Sequence, residues 1–492
     1  MKKEKCSEEI TVEHQKNVDK NGLKEKSTKA VKSVAWYTVG NILLKGIAFI
    51  STPIFARLLT KEEYGAFNNI STWHSLIAVF ATMELSSAML RARNDFKNEI
   101  YSFMFSQLWL GNLITGILYA LACVFMKPIV AFTSVEPIYI HMGFLTLLFT
   151  PATTFLVSHL RFQYKYKQFA IVSIGSAMVT TLFSVILVIC LNDKLFGRTF
   201  GYFFIHAAVG LACYIFIASK SHLVRFDYWK YALKISFPMT IHLLSMYVLN
   251  SSDKLMITKI CGKEETALYS LAYSCGVVLS FVWSSLNTAF SPLIGDSLHS
   301  KDFSITKKIT APYLAVYVIP AILLMLVSPE LVYLMGGKEY LAARYVIPPV
   351  VAGSIMQYLY TLYVNIEQYE KKTWSVAVGT ILASVINLVL NFLFIPVFGY
   401  VAAAYTTLAC FTLLFVFHFI AVKKMNLTKC YNTGVVFFVA ILAVLASFAV
   451  SLLFAVPLLR YAIVVIYVIG VCVMMIRYKN TLIALLRGKA VL

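Results

Sequence analysis

The chain contains the segment Arg57-Leu-Leu-Thr-Lys-Glu-Glu-Tyr-Gly-Ala-Phe67 and, 202 residues later, the related segment Lys259-Ile-Cys-Gly-Lys-Glu-Glu-Thr-Ala-Leu-Tyr269. The Lys-Glu-Glu triplet is identical in both, and a cation precedes it by four residues. A small, an apolar and an aromatic residue close each copy. Two copies at this distance predict a protein that is made of two similar halves.

The composition assigns this repeat to a membrane protein. Of 492 residues, 59% are hydrophobic and 13% are charged, and the mean hydropathy is +0.76. Soluble domains are closer to half apolar and a quarter charged. A bilayer accommodates such a chain because each spanning helix needs about 20 apolar residues. The sequence therefore predicts an all-α integral membrane protein and argues against a soluble enzyme.

The net charge of +20 does not indicate a nucleic-acid partner. Lys and Arg occur in short clusters between apolar runs, which is typical of membrane topology rather than of one basic soluble face. The nine cysteines show no Cys-x-x-Cys spacing and no Cys/His ligand spacing. We expect neither a disulfide framework nor a metal site.

Apolar runs of spanning length predict about fourteen transmembrane helices. They fall at residues 34–58, 64–90, 100–126, 138–159, 168–191, 198–219, 235–260, 266–294, 309–335, 341–366, 374–397, 399–421, 433–455 and 457–476. With the N-terminus inside, the inner segments carry 31 of the 43 Lys and Arg residues and the outer segments carry 10. Because Lys and Arg concentrate on the cytoplasmic side, both termini are predicted to be cytoplasmic.

The repeat and the spans together predict the domain organisation. Six spans separate the two copies, so the halves keep the same orientation and are expected to be parallel repeats about an axis along the membrane normal. The predicted parts are a disordered cytoplasmic tail (1–33), an N-lobe of six helices (34–230), a C-lobe of six helices (231–424), and a last part with two extra helices and a cytoplasmic C-terminus (425–492).

The first and seventh spans each carry a polar face within an otherwise apolar helix. At 100° per residue, these faces hold the candidate cavity residues. They are Asn41, Lys45 and Thr52 in the first span and Tyr247, Asn250 and Lys254 in the seventh, with Asp253 beside them. Lys45 and Lys254 are the two Lys or Arg residues that lie within spans away from the span ends and are counted on neither side. Such cations normally face a cavity or a partner. An ion pair or snorkelling remains open for Lys45, and snorkelling remains open for Lys254. For Asp253, a bond to a neighbouring helix is the alternative to a cavity role.

These residues carry a family resemblance. The run Asn41-Ile-Leu-Leu-Lys-Gly46 through Pro53-Ile-Phe-Ala-Arg57 to Gly65 resembles the opening of the polysaccharide transporter family. Its members are Wzx-type flippases of O-antigen and capsule repeat units, within the MOP flippase superfamily. Ser252-Asp253-Lys254 followed by Ala267-Leu-Tyr-Ser-Leu-Ala272 resembles the junction of the seventh and eighth helices in that family, with Ala267 where the family favours Gly.

The resemblance implies two six-helix lobes that form a V around a central cavity. It implies a polyprenyl-diphosphate-linked oligosaccharide as substrate, moved from the inner to the outer leaflet of the bacterial cytoplasmic membrane by alternating access. Lys45 and Lys254 would then bind the diphosphate. Arg57 and Lys259 would lie at the outer mouth, unless they are plain interfacial anchors. We expect no cofactor and no catalytic residue, and the sequence leaves open whether a coupling ion, H⁺ or Na⁺, or the membrane potential drives transport. The expected partners are membrane lipids and the polymerase and chain-length regulator of the same O-antigen, capsule or exopolysaccharide pathway.

Two other functions compete with this interpretation. A MATE-type multidrug or cation antiporter of the same superfamily would need buried carboxylates, whereas the first span offers a lysine. A membrane enzyme of the same glycan pathway is the second alternative, but no outer loop is long enough for a catalytic domain. A membrane scaffold would not need a buried Lys45.

The Lys45→Ala variant should abolish export of surface glycan and leave the amount of protein in the membrane unchanged. The reason is that a cation near mid-span costs about 2.5–3.5 kcal/mol to insert and so indicates a function. Surface glycan and membrane abundance are measured together in a deletion strain that expresses the variant. Export at the normal level would assign Lys45 a structural role.

Overall fold

A computed structural model describes residues 40, 43, 44, 46–163 and 165–477, and these residues form helices and short connections without any β-strand. The predicted tail at 1–33, the candidates Asn41 and Lys45, and the chain after residue 477 lie outside the described residues. The prediction of an all-α membrane protein is confirmed. In the described ranges, ten helices are long and apolar enough to cross a membrane.

In the described residues, the N-terminal half contains nine α-helices. They are α1 (Gly46–Leu58), α2 (Lys61–Thr82), α3 (Met89–Asp95), α4 (Ile100–Val124), α5 (Met126–Thr133), α6 (Pro137–Phe162), α7 (Tyr166–Ala170), α8 (Ser176–Cys190) and α9 (Lys194–Lys220). A π-helical turn joins α7 to α8, so that Tyr166–Cys190 crosses the membrane as one helix. The short helices α3 and α5 lie at the ends of the bundle.

The C-terminal half follows the same plan and adds two helices. They are α10 (Phe226–Ile260), α11 (Lys263–Val277), α12 (Leu279–Ser300), α13 (Ser304–Leu326), α14 (Ser328–Gly336), α15 (Ile347–Tyr369), α16 (Thr373–Phe398), α17 (Tyr400–Lys424), α18 (Thr433–Leu453) and α19 (Pro457–Arg477). Four of the fourteen predicted spans are not among the ten helices that are long and apolar enough to cross a membrane. They coincide with α1, α2, the α11–α12 pair and α15, which are shorter or more polar.

The repeated segments are helix starts. Thr60 accepts a hydrogen bond from the backbone N–H of Glu63, whose carboxylate accepts one from the backbone N–H of Thr60 at 2.8 Å. This reciprocal capping box satisfies amides that a helix start leaves unpaired. In the second copy Gly262 takes the corresponding place with a φ of +121°, which a residue with a side chain rarely adopts. Both copies therefore make a sharp turn between two helices.

The predicted span at 64–90 is interrupted by a change of backbone conformation. The run at 64–90 was expected to be continuous, but α2 ends at Thr82, and Met83 and Glu84 have φ values of +43° and +45°. A short 3₁₀ turn and α3 follow. Hydropathy does not report a local change of backbone conformation, so this break had no signal in the apolar pattern.

The long helix α10 belongs to the C-terminal half but also packs against helices of the N-terminal half. At its first turn, Gln107 of α4 donates to the carbonyl of Tyr228 at 2.9 Å, and Trp229 donates to the carbonyl of Ser106 at 2.8 Å. Farther along, α10 packs on α16. The predicted boundary at residue 231 thus falls inside a helix whose first turns lie against the N-terminal half.

The two extra helices dock on the C-terminal half. Helix α18 packs on α13 and α15, and α19 packs on α13. Arg460 of α19 is 4% exposed and binds both carboxylate oxygens of Glu330, at 2.5 and 2.7 Å. It also donates to the carbonyl of Leu326 at 2.9 Å. A bidentate pair of this kind fixes geometry as well as charge.

Candidate functional site

The two copies of the repeated segment touch each other where the halves meet. A Cβ atom on Gly65 would lie 1.7 Å from the carbonyl oxygen of Lys263, so the backbones of α2 and α11 are in direct contact there. Ala267, which corresponds to Gly65 in the second copy, is fully buried beside it. Only glycine fits at the first position, because any side chain would separate the helices.

Two ion pairs flank this contact, and they are equivalent by the repeat. Lys61 lies 3.1 Å from Glu264, and Lys263 lies 3.5 Å from Glu62. Since the 202-residue offset relates Lys61 to Lys263 and Glu62 to Glu264, the same contact is made twice across the axis between the halves. The side chains are partly exposed, and such pairs contribute roughly 0–1 kcal/mol each.

The two outer-mouth candidates make a second equivalent pair of contacts. Arg57 donates to the carbonyl of Leu334 at 2.6 Å, and Lys259 donates to the carbonyl of Ala131 at 2.7 Å. Each cation therefore reaches a short helix of the opposite half, α14 or α5, near the C-terminal end, where the helix dipole is negative. We call the contacts of Arg57, Lys259 and the two ion pairs the outer seam. It joins the halves on the side that the Lys and Arg distribution assigns to the exterior.

The candidates in α10 lie close to the facing helices α2 and α11. Tyr247 donates to the carbonyl of Thr72 in α2 at 2.6 Å. The ammonium of Lys254 lies 5.1 Å from the ring centroid of Tyr273 in α11, and in the described part of the chain it forms no ion pair. Asn250 donates to its own helix and borders a cavity. In α1, Thr52 is half-buried and bonds within its own helix.

Asp253 does not lie on this face, which differs from its prediction as a cavity residue. It is fully buried inside the C-terminal half, where its carboxylate accepts three hydrogen bonds from three helices. The donors are Tyr269 at 2.6 Å, Asn391 at 2.6 Å and Thr407 at 2.8 Å. Asp253 therefore bonds to neighbouring helices, which is the second of the two roles that the sequence left open for it.

Sequence reasoning missed the residues around Asp253. Asn387 and Asn391 are fully buried in α16 and bond to each other, while Asn387 also binds Ser252 and Thr407. Thr406 donates to Asn391. The sequence did contain an indication of these residues, because two asparagines lie four residues apart in the apolar run 374–397. Polar side chains on one face of a membrane helix commonly form hydrogen bonds to neighbouring helices.

The buried carboxylate of Asp253 is hydrogen-bonded and is attracted by the positive charge of the adjacent Lys254, but it forms no ion pair in the described part of the chain. None of the ion pairs among the described residues includes it. Its neighbour Lys254 points instead to Tyr273. An ionised carboxylate in a membrane-embedded bundle is costly unless a cation or a proton compensates it.

Comparison with known proteins gives consistent matches. Residues 30–298, more than half of the chain, match the family model described as polysaccharide biosynthesis protein, and residues 238–393 match the MatE model. A protein of the Lsg locus of Haemophilus influenzae is 20% identical over 367 residues, which cover 73% of this chain and 89% of that protein.

Two solved structures share the fold. The lipid II flippase MurJ in an inward closed conformation has a TM-score of 0.67 at 14% identity, and the match covers 91% of this chain and 100% of that one. A multidrug resistance MATE family transporter of the MOP superfamily, in an inward-facing conformation, has a TM-score of 0.54 at 13% identity over 80% of this chain and 95% of that one. These matches confirm the predicted two-lobed helical fold.

The Lys61→Glu variant should loosen the outer seam, because it sets a carboxylate against Glu264 instead of an ammonium. The measurement is the rate at which a membrane-impermeant maleimide labels a cysteine introduced at the buried Thr72, in a background without other cysteines. We expect labelling to become several-fold faster in Lys61→Glu and to return to the slow rate when Glu264→Lys is added.

The matched control is Lys338→Glu, which reverses an exposed lysine for which no ion pair is found among the described residues. It should leave the labelling rate unchanged. If Lys61→Glu were labelled as slowly as the parent protein, these ion pairs would not keep the outer side closed.

Proposed function

Since the chain belongs to the polysaccharide biosynthesis protein family of the MOP superfamily of membrane transporters, we propose that it is a flippase for polyprenyl-diphosphate-linked oligosaccharides. It moves the repeat units from the inner to the outer leaflet of the bacterial cytoplasmic membrane, with both termini in the cytoplasm. Its products supply a polymerase and a chain-length regulator in the synthesis of O-antigen, capsule or exopolysaccharide.

The main observation that supports this proposal is the environment of the Lys254 side chain. This side chain is half-buried on the face of α10 near α11, and it forms no ion pair with a described carboxylate, although Asp253 is its neighbour in the chain. A diphosphate needs cations in a site that is shielded from bulk water, where charge-assisted hydrogen bonds are strong. Lys45 is the matching candidate of the other half on the basis of the sequence.

The outer seam suggests how access alternates. The contacts across it are either exposed ion pairs or single hydrogen bonds to carbonyls, so each is weak enough to break reversibly. Their equivalence across the axis means that a rocking motion of one half against the other would break all four together. Opening this side while the opposite side closes moves the substrate without any covalent step.

A MATE-type antiporter is the second candidate because residues 238–393 match the MatE model. Export of cations would require a carboxylate that faces the substrate. Asp253 is instead engaged by Tyr269, Asn391 and Thr407 inside one half. The charged group beside α11 is the ammonium of Lys254. A positive charge at this position favours an anionic substrate. The relatives with assigned roles are transporters, and this argues against an enzyme.

Replacing Lys254 should slow translocation of a fluorescent polyprenyl-diphosphate disaccharide in proteoliposomes. Lys254→Gln removes a charge-assisted contact of about 1.5–3 kcal/mol, so we expect a loss of about tenfold or more. Lys254→Glu should be slower still because it repels the diphosphate. The rate is measured as the fraction of probe that becomes accessible to an impermeant quencher.

Lys308→Glu makes the same change of charge at an exposed inner position and serves as the control. Equal rates for Lys254→Gln and Lys254→Glu would contradict a diphosphate contact. Transport of a cationic dye with no transport of the glycolipid would favour the antiporter instead. In cells, deletion of the gene should trap polyprenyl-linked oligosaccharide in the inner leaflet.

We further propose that a coupling cation, H⁺ or Na⁺, compensates Asp253. The carboxylate accepts from the amide of Asn391 and the hydroxyl of Thr407, and the amide oxygen of Asn387 accepts from the same Asn391 nitrogen. Rotation of these side chains would offer oxygens, which are hard ligands suited to a proton or a small cation. Binding there would change the charge at the contact between α10, α16 and α17. Transport could thereby respond to an ion gradient.

The Asp253→Asn variant should lose this response, because an amide neither titrates nor carries the negative charge. Translocation is measured in proteoliposomes with an imposed proton gradient and, separately, with an imposed sodium gradient. Wild type should accelerate with one of them, and Asp253→Asn with neither. Asp296→Asn, at an exposed position, is the control. A normal gradient response in Asp253→Asn would refute the assignment.

A further inference from the structure

The C-terminal half contains a cavity that the proposed transport mechanism does not use. Its volume is about 300 Å³, and residues from α10, α11, α12, α13, α15 and α17 line it. This volume is at the lower end of the range of roughly 300–1,000 Å³ that small-molecule sites occupy. The cavity is therefore large enough for one ring-sized group and too small for an oligosaccharide.

The lining has an unusual chemistry for the interior of a membrane bundle. Four aromatic side chains, Tyr273, Trp283, Tyr317 and Phe411, provide flat apolar faces. Neutral amides and hydroxyls, such as those of Asn250 and Gln357, lie between them. Among the described residues, no charged side chain lines the cavity. Apolar faces next to hydroxyl-binding groups suit a pyranose ring, which has C–H faces and a rim of hydroxyls.

One lining group has an unmet hydrogen bond. The indole Nε1 of Trp283 is buried and donates to no acceptor among the described residues. A buried donor without an acceptor costs about 1–3 kcal/mol. A ligand oxygen in the cavity would recover this free energy.

The cavity lies next to the proposed diphosphate contact. Tyr273 lines the cavity and also lies 5.1 Å from the Lys254 ammonium, measured to the ring centroid. In a polyprenyl-diphosphate glycan the first sugar is bonded directly to the diphosphate. A diphosphate held by Lys254 would therefore bring that sugar, and no other, beside Tyr273.

We propose that this cavity binds the reducing-end sugar of the substrate and that this sugar is an uncharged pyranose. The inference rests on the proposed flippase function. Thr407 lines the cavity and donates to the carboxylate of Asp253, so one hydroxyl separates the cavity from a buried acidic group. An acidic sugar would be placed beside that group, and none of the described lining residues is a cation that would compensate it.

The test measures binding to the full-length protein in lipid nanodiscs. The probes are polyprenyl diphosphate without sugar and the same lipid carrying glucose, N-acetylglucosamine, galactose or glucuronate. We expect at least one neutral glycolipid to bind about tenfold more tightly than the bare lipid, the equivalent of one or two hydrogen bonds. The glucuronate form should show no such gain.

Two substitutions should remove this preference without removing the lipid. Trp283→Phe keeps an aromatic face and deletes the unpaired N–H, while Gln357→Leu keeps the shape and deletes the amide. The double variant should bind the neutral glycolipid no more tightly than the bare lipid, and its affinity for the bare lipid should stay within about twofold. Trp109→Phe, at a position 51% exposed on α4, is the matched control and should behave as wild type.

Each result is decisive. Equal binding of bare and all neutral glycolipids by wild type would overturn the inference and leave the flippase proposal standing. So would a preference that survives in the double variant, or tighter binding of the glucuronate form. Absence of binding to every diphosphate lipid would overturn the proposed function itself.

Discussion

The arrangement of the two halves depends on one backbone contact, between Gly65 and the carbonyl of Lys263. Because this contact leaves no room for a Cβ atom, α2 and α11 approach as closely as two helices can. The closeness brings each Lys of the repeated segment within reach of the Glu on the other copy, and it brings Arg57 and Lys259 to the opposite half. The repeat thus preserves a set of mutual contacts rather than a local structure alone.

A second constraint is the burial of Asp253. On a helix, adjacent residues point about 100° apart, so a carboxylate directed into the bundle turns Lys254 away from it. The bonds to Tyr269, Asn391 and Thr407 thereby orient α10 and present Lys254 toward Tyr273. The orientation of α10 about its own axis therefore places Asp253 in the polar interior of the C-terminal half and Lys254 beside α11.

The sequence predicts those features that depend on residue type and spacing along the chain. The apolar runs predict the helices, and the Lys-Glu-Glu repeat predicts two like halves. The direction of a side chain within the bundle depends on neighbouring helices that the sequence does not position. The sequence therefore left open whether Asp253 faces the cavity or a neighbouring helix, and its partners Asn387 and Asn391 were missed. The break at Met83 and Glu84 depends on backbone angles, to which hydropathy is insensitive.

Helix α10 is bonded to Ser106 and Gln107 of the N-terminal half at its start and to Asn391 and Thr407 of the C-terminal half farther along. Pro238 lies between these attachments, where its missing N–H removes one helical hydrogen bond. The halves are consequently not independent rigid bodies joined by a loose linker. The curvature of a single continuous helix would limit how far they swing apart, and its elastic resistance would favour return to the resting shape.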